Sequence, residues 1–160
     1  MLEKKQIEKK RSSIGIITVS LVGVLAISQY EGFREEAYLD IVGKPTIGYG
    51  TTQDVKLGNT ITKEEAQEVM QRELSVVYGK ALTSCVKVPL YQYEYDAYIS
   101  LAYNIGTSNF CKSTLVKKLN TRDYPAACKE ILRWDFAKGK KIKGLTKRRE
   151  QEFKMCIGGK

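Results

Sequence analysis

The chain changes character sharply near its start. Met1 to Arg11 reads MLEKKQIEKKR, with five basic and two acidic residues, and Ser12 to Tyr30 reads SSIGIITVSLVGVLAISQY with no charge at all. As one helix, residues 12–30 would extend about 28 Å, close to the thickness of a bilayer core. Basic residues ahead of such a run hold the N-terminus in the cytoplasm and send the rest outward. Ser12, Ser13, Gly15, Thr18, Ser20, Gly23 and Ser28 dilute the run, which makes it a poor permanent span. Three readings fit it: a cleaved signal peptide with Ala26-Ile27-Ser28 as its small-residue site, a permanent anchor, or a weak anchor that can leave the membrane. A buried core helix is the plain alternative, disfavoured by the charge cluster ahead.

After Tyr30 the periodicity shortens. Leu39 to Val42, a Gly43-Lys44-Pro45 turn and Thr46 to Tyr49 read as a small hairpin in a glycine-rich stretch. Thr62-Lys63-Glu64-Glu65 is a capping box, and the helix behind it carries Ala66, Val69, Met70, Leu74, Val77 and Ala81 on one face. Pro89 resets the chain before a second helix over about Gln92 to Ile105, with Tyr95, Ile99, Ala102 and Tyr103 inward and Gly106 as its stop. Ser113 caps a short helix through Leu119, Asp123 and Pro125 open another toward Trp134, and a basic helix follows over about Leu145 to Cys156. The class is α+β: a small β-hairpin lobe and a larger helical lobe with a cleft between them, preceded by an N-terminal hydrophobic helix.

Composition narrows the chemistry. Lys and Arg number 27 against 18 acidic residues, a net charge of +9 that draws the protein to polyanions without saying which. Histidine is absent, which excludes Ser-His-Asp and Cys-His catalysis and histidine-based zinc sites. Cys85, Cys111, Cys128 and Cys156 form no CxxC pair. Their even number suits two disulfides in an oxidising compartment, with all three pairings open.

A catalyst made from this chain must therefore work with carboxylates and hydroxyls. Glycoside hydrolysis uses two carboxyl groups across the scissile bond, one to protonate the leaving oxygen and one to activate water or attack the sugar. The acid belongs in a partly desolvated place and its partner in a wetter, polar one. Glu31 sits where the apolar run ends, Asp40 lies on the hairpin, and Thr46 stands opposite with a hydroxyl able to share a water.

The full pattern Glu31-Gly32-Phe33-Arg34, Tyr38-Leu39-Asp40 and Thr46-Ile47-Gly48-Tyr49-Gly50-Thr51, with its E-x8-D-x5-T spacing, resembles the active-site region of T-even-type phage lysozymes, glycoside hydrolase family 24. Asp96-Ala97, Tyr103-Asn104-Ile105-Gly106, Ser113-Thr114-Leu115, Arg133-Trp134 and Gly144-Leu145 with Arg148-Arg149-Glu150 look like further landmarks of its endolysin branch. The resemblance implies a lysozyme-like fold, Glu31 as general acid, Asp40 as the carboxylate that positions or activates water in inverting chemistry, and Thr46 as the water-holding hydroxyl. It also suggests an ion pair from Arg148 or Arg149 to Glu31. Thr51 departs from the T-even form, which has a histidine there.

The expected organisation is a basic cytoplasmic segment over 1–11, a weak transmembrane signal-anchor over 12–30 and a lysozyme catalytic domain over 31–160. Its activity would be cleavage of the β-1,4 bond between N-acetylmuramic acid and N-acetylglucosamine in peptidoglycan, for host lysis. While the run spans the host inner membrane the cleft cannot assemble, so release to the periplasm would activate the enzyme, with a holin or pinholin as functional partner. A monomer is expected, with no metal, cofactor or nucleic acid. The competing readings are a lytic transglycosylase or chitinase, and a catalytically silent wall-binding module on a membrane tether.

Overall fold

The computed structural model describes residues 10–159. Of the basic segment assigned to 1–11, all but Lys10 and Arg11 lies outside the described residues. The architecture is α+β, a small β-hairpin lobe beside a helical lobe, as its patterning predicts.

Residues 12–30 do not form the single helix expected of them. Ser12 bridges to Leu90 through two backbone hydrogen bonds of 2.7 and 2.9 Å, a turn follows, and only Leu21–Ser28 is helical (α1). No helix among the described residues is long and apolar enough to cross a membrane. The physical reason lies in the solvent. A spanning helix satisfies its backbone internally because lipid offers no partner, whereas Ile14, Ile16, Ile17, Thr18 and Val19 are β-branched and favour an extended path in water. That path finds its partners on other elements. Gln92 donates to the Thr18 carbonyl at 2.8 Å and Gln71 to the Val19 carbonyl at 3.1 Å. Val19, Val24 and Ile27 are buried in the main core, each worth about 1.5–3 kcal/mol of apolar burial. The run is part of the folded domain.

The hairpin pairs β1 (Arg34–Leu39) with β2 (Pro45–Gly48), so its strands begin earlier and its turn is longer than the sequence pattern suggests. Residues 59–61 lie along its outer edge, with Ala37 N–H donating to Asn59 O and Ile61 N–H to Glu35 O. The capping box at Thr62 is present and starts α2 (Lys63–Glu73). The inward face then departs from expectation. Leu74–Tyr78 is a π-turn before α3 (Gly79–Cys85), and the added residue rotates the buried face onto Gly79 and Leu82. Val77, expected inside, is exposed, and Ala81 is only half-buried.

Helix α4 (Gln92–Ile105) is the axis of the helical lobe, buried continuously from Glu94 to Ala102 and ended by Gly106 at φ 91°. Around it stand α5 (Thr107–Cys111), α6 (Thr114–Asn120), α7 (Tyr124–Glu130) and α8 (Lys143–Cys156). The Ser113 and Asp123 side chains cap α6 and α7 as read from the sequence. A two-residue hairpin, β3 (Phe136–Ala137) with β4 (Lys140–Lys141), occupies the stretch expected to be loop.

The cysteines pair as Cys85–Cys111, joining α3 to α5, and Cys128–Cys156, joining α7 to α8 across 28 residues. A closed loop of that length removes chain entropy from the unfolded state worth about 3–4 kcal/mol. Replacing Cys128 and Cys156 together by serine should lower the urea midpoint by a corresponding amount while leaving the native fold intact. Equilibrium unfolding of the two forms checks this.

Candidate active site

Glu31 owes its place to α1. Ser20 caps the helix by accepting the Gly23 N–H, and it also donates its own N–H (2.9 Å) and hydroxyl (2.5 Å) to the Asp96 carboxylate on α4. Gly23 faces the same carboxylate, and a Cβ there would stand 2.7 Å from Asp96 Cγ. Past Ser28 the turn continues through Tyr30 N–H to Ile27 O and Glu31 N–H to Ser28 O. Glu31 therefore projects, half-buried, from the tail of a helix bolted to the core.

Its charge is felt by two tyrosines of the helical lobe. Tyr78 on the π-turn and Tyr103 on α4 stack at a tilted 5.3 Å. Burial, then the Glu31 charge, pushes the Tyr103 phenol up to about 12, and the same causes raise Tyr78. Tyr78 and Tyr103 also line a cavity of about 380 Å³ with Tyr49, Thr51, Gln53 and Glu73, between the loop after β2 and the helical lobe. Thr51, where the T-even form has histidine, is part of that wall.

Asp40 closes the hairpin turn. Its Oδ1 accepts the N–H groups of Val42 and Lys44, both at 2.9 Å, and its own N–H donates to Lys44 O. This is an Asx-type turn, completed by Gly43 at φ 78°. The register pairs Tyr38 with Thr46, and Asp40 follows the last residue of β1 at the start of the turn. Thr46 is buried and its hydroxyl donates to Lys44 O at 3.0 Å. The fold thus brings Asp40 and Thr46 together on the hairpin and gives Glu31 to a separate element facing the tyrosines.

Neither Arg148 nor Arg149 pairs with Glu31. Both turn to Glu152, a buried carboxylate one helical turn along α8, with Arg148 Nε at 3.1 Å and Arg149 Nε at 2.8 Å. Ser100 donates to the same carboxylate at 2.6 Å, and Arg149 reaches Asn104 at 2.9 Å and the Trp134 carbonyl at 3.3 Å. The i,i+3 and i,i+4 spacing was the available signal for this cluster. No sequence pattern marks Glu73 and Tyr78 as cavity-lining residues, because the π-helical turn that carries Tyr78 has no simple sequence signature.

A small β-hairpin lobe set beside a helical lobe is the architecture of the lysozyme class, although the cavity between them is lined by none of Glu31, Asp40 and Thr46. The chain belongs to the phage lysozyme family, whose profile matches residues 28–152. It is 42% identical over 138 residues to an endolysin of Acyrthosiphon pisum secondary endosymbiont phage 1, covering 84% of this chain and 94% of that protein. It is 37% identical over 148 residues to a SAR-endolysin of Enterobacteria phage P21, covering 92% of this chain and 89% of that one. A crystal structure of a P22 lysozyme mutant superposes with a TM-score of 0.80 at 38% identity, covering 89% of this chain and 99% of that one.

The coupling between Glu31 and the tyrosines is open to direct titration. In Glu31→Gln the Tyr103 phenol should ionise at lower pH than in the wild type, with burial still holding it above the ordinary tyrosine range. Tyrosine NMR shifts followed across alkaline pH check this; an unmoved Tyr103 would mean that Glu31 faces elsewhere.

Proposed function

We propose that Glu31 protonates the leaving glycosidic oxygen while Asp40 and Thr46 hold and activate the attacking water. The chain is a phage endolysin, a lysozyme-type glycosidase that hydrolyses peptidoglycan for host lysis. The proposal adds residue roles to that activity, at the β-1,4 bond between N-acetylmuramic acid and N-acetylglucosamine.

The observation that carries it is the division of hydrogen bonds at the hairpin turn. Asp40 spends Oδ1 on two turn amides, and Thr46 spends its proton on Lys44 O. Among the described residues Asp40 Oδ2 and the Thr46 lone pairs carry no further hydrogen bond and are left, in this reading, to accept the two protons of a water. A water so held presents its own lone pair to the anomeric carbon as the C–O bond breaks. Its proton passes to Asp40, and Glu31 gives its proton to the departing oxygen. Attack by water inverts the anomeric carbon, whereas attack by Asp40 itself would retain it.

Residues 12–30 serve, in this reading, as a weak anchor in the host inner membrane, and the chain is released uncleaved to the periplasm. The SAR-endolysin relatives support the tether. Release of the intact chain is supported by the burial of Val19, Val24 and Ile27 in the core and by the Ser20–Asp96 bonds. Cleavage after Ser28 would remove all of these and leave Glu31 on a loose end.

Two measurements test the reading. Glu31→Gln and Asp40→Asn should each lower the rate at which purified peptidoglycan is solubilised by about 10²–10⁴-fold, with Thr46→Ala less severe. A lytic transglycosylase would survive Asp40→Asn, and a silent binding module would be unaffected by Glu31→Gln. Fractionation of the exporting host should give full-length mass in both membrane and periplasm, with activity in the periplasm alone; an active species beginning near residue 29 would replace the anchor with a signal peptide.

A further inference from the structure

We propose that Arg11, the last residue of the basic segment, is a positioning residue of the folded enzyme, and that Glu94, Tyr91 and Tyr124 form a built site for its guanidinium. Arg11 donates Nε to Glu94 Oε2 at 3.1 Å and Nη2 to Glu94 Oε1 at 2.8 Å, a two-point fork. Its guanidinium lies 3.5 Å from the Tyr124 ring centroid and 4.2 Å from that of Tyr91. The Glu94 side chain is 3% exposed. Among the described residues it accepts, apart from Arg11, the Tyr91 N–H at the start of α4. The cage is held from outside the pair as well, since Tyr124 donates to Pro89 O at 2.8 Å and Ser12 bridges to Leu90 next door.

A buried carboxylate deprived of its guanidinium is an uncompensated charge, which folded proteins tolerate poorly. The site is also shaped for arginine over lysine, because an ammonium cannot span both oxygens and stack on two rings at once. These features make Arg11 a structural requirement of the water-soluble fold, not a leftover topogenic charge.

The consequence rests on the tether reading given above. While residues 12–30 span the bilayer, Arg11 lies on the cytoplasmic side and Glu94 on the other, so the cage is without its arginine. Val19 to Ile27 can dock as soon as the apolar part leaves the membrane. Arg11 arrives only when the whole run and its charged edge have crossed. Once seated, it fixes the extended segment at one end, with the Thr18–Gln92, Val19–Gln71 and Ser20–Asp96 bonds continuing along it to α1 and Glu31. The cage therefore registers complete extraction and transmits it to the acid.

The test uses full-length enzyme purified from the periplasmic fraction and assayed on isolated peptidoglycan. Arg11→Ala should lower kcat about tenfold with KM unchanged. Millimolar methylguanidinium should restore much of the loss by filling the cage, and methylammonium should not. Arg11→Lys should fall between the two and gain nothing from either additive; it also serves if Arg11→Ala is not recovered folded. Wild-type kcat in both variants, or a loss in Arg11→Ala that methylguanidinium leaves untouched, would overturn the proposal. An inactive wild type would instead strike the glycosidase reading, so the two failures are distinguishable.

Discussion

The packing of α1 on α4 is the contact on which the rest of the molecule depends. Val24 and Ile27 are fully buried there, and the Ser20 N–H and hydroxyl close on Asp96. Burial pushes the Asp96 carboxyl above its usual range, against the pull of the Ser20 and Gln92 hydrogen bonds. An acid so placed needs its donors, and they come from the same segment that supplies the apolar side chains. Glu31 stands three residues past the end of α1, so the energy that seats the segment also places Glu31.

If residues 12–30 tether the chain as proposed, one stretch of sequence has to suit two solvents. In lipid, a helix over residues 12–30 would hide its backbone and show its side chains; in water, the same residues must hide side chains and find outside partners for an extended backbone. Gln71 and Gln92 supply such partners, and the Arg11–Glu94 pair closes the end. The residues that would weaken a membrane helix have work in the folded chain. Gly23 leaves no room for a side chain against Asp96, and Ser20 caps α1. A more apolar run would span better and fold worse.

On the hairpin, the atoms proposed for the chemistry also hold the structure. Asp40 holds the turn with one carboxylate oxygen and keeps the other available, and Thr46 is fixed by the donor half of its hydroxyl. The arginines of α8 do comparable work away from the hairpin. They surround Glu152, whose burial raises its carboxyl against two guanidinium charges, and Arg149 ties α8 to Asn104 and the Trp134 carbonyl. That arrangement fixes α4 and α8 relative to each other while leaving Glu31 without an ion pair among the described residues.

The sequence determined what is local. The cap at Thr62, the serine and aspartate caps of α6 and α7 and the glycine stop of α4 each depend on residues within a few positions of one another. The hairpin too is legible, though its turn lies at 40–44 and carries Asp40, which the pattern places on a strand. The family resemblance, legible in the spacing of Glu31, Asp40 and Thr46, rests on the same short range. Tertiary structure decided whatever required two distant segments to compete for the same solvent-free space. It made residues 12–30 a strand-like arm and a short helix, because α4 offered those residues a core and buried carboxylates to satisfy. It turned Val77 outward through a π-turn, directed Arg148 and Arg149 to Glu152, and chose one of three disulfide pairings. No pattern along the chain reports such choices, because burial free energy is set by what lies across the interface and not by what comes next in sequence.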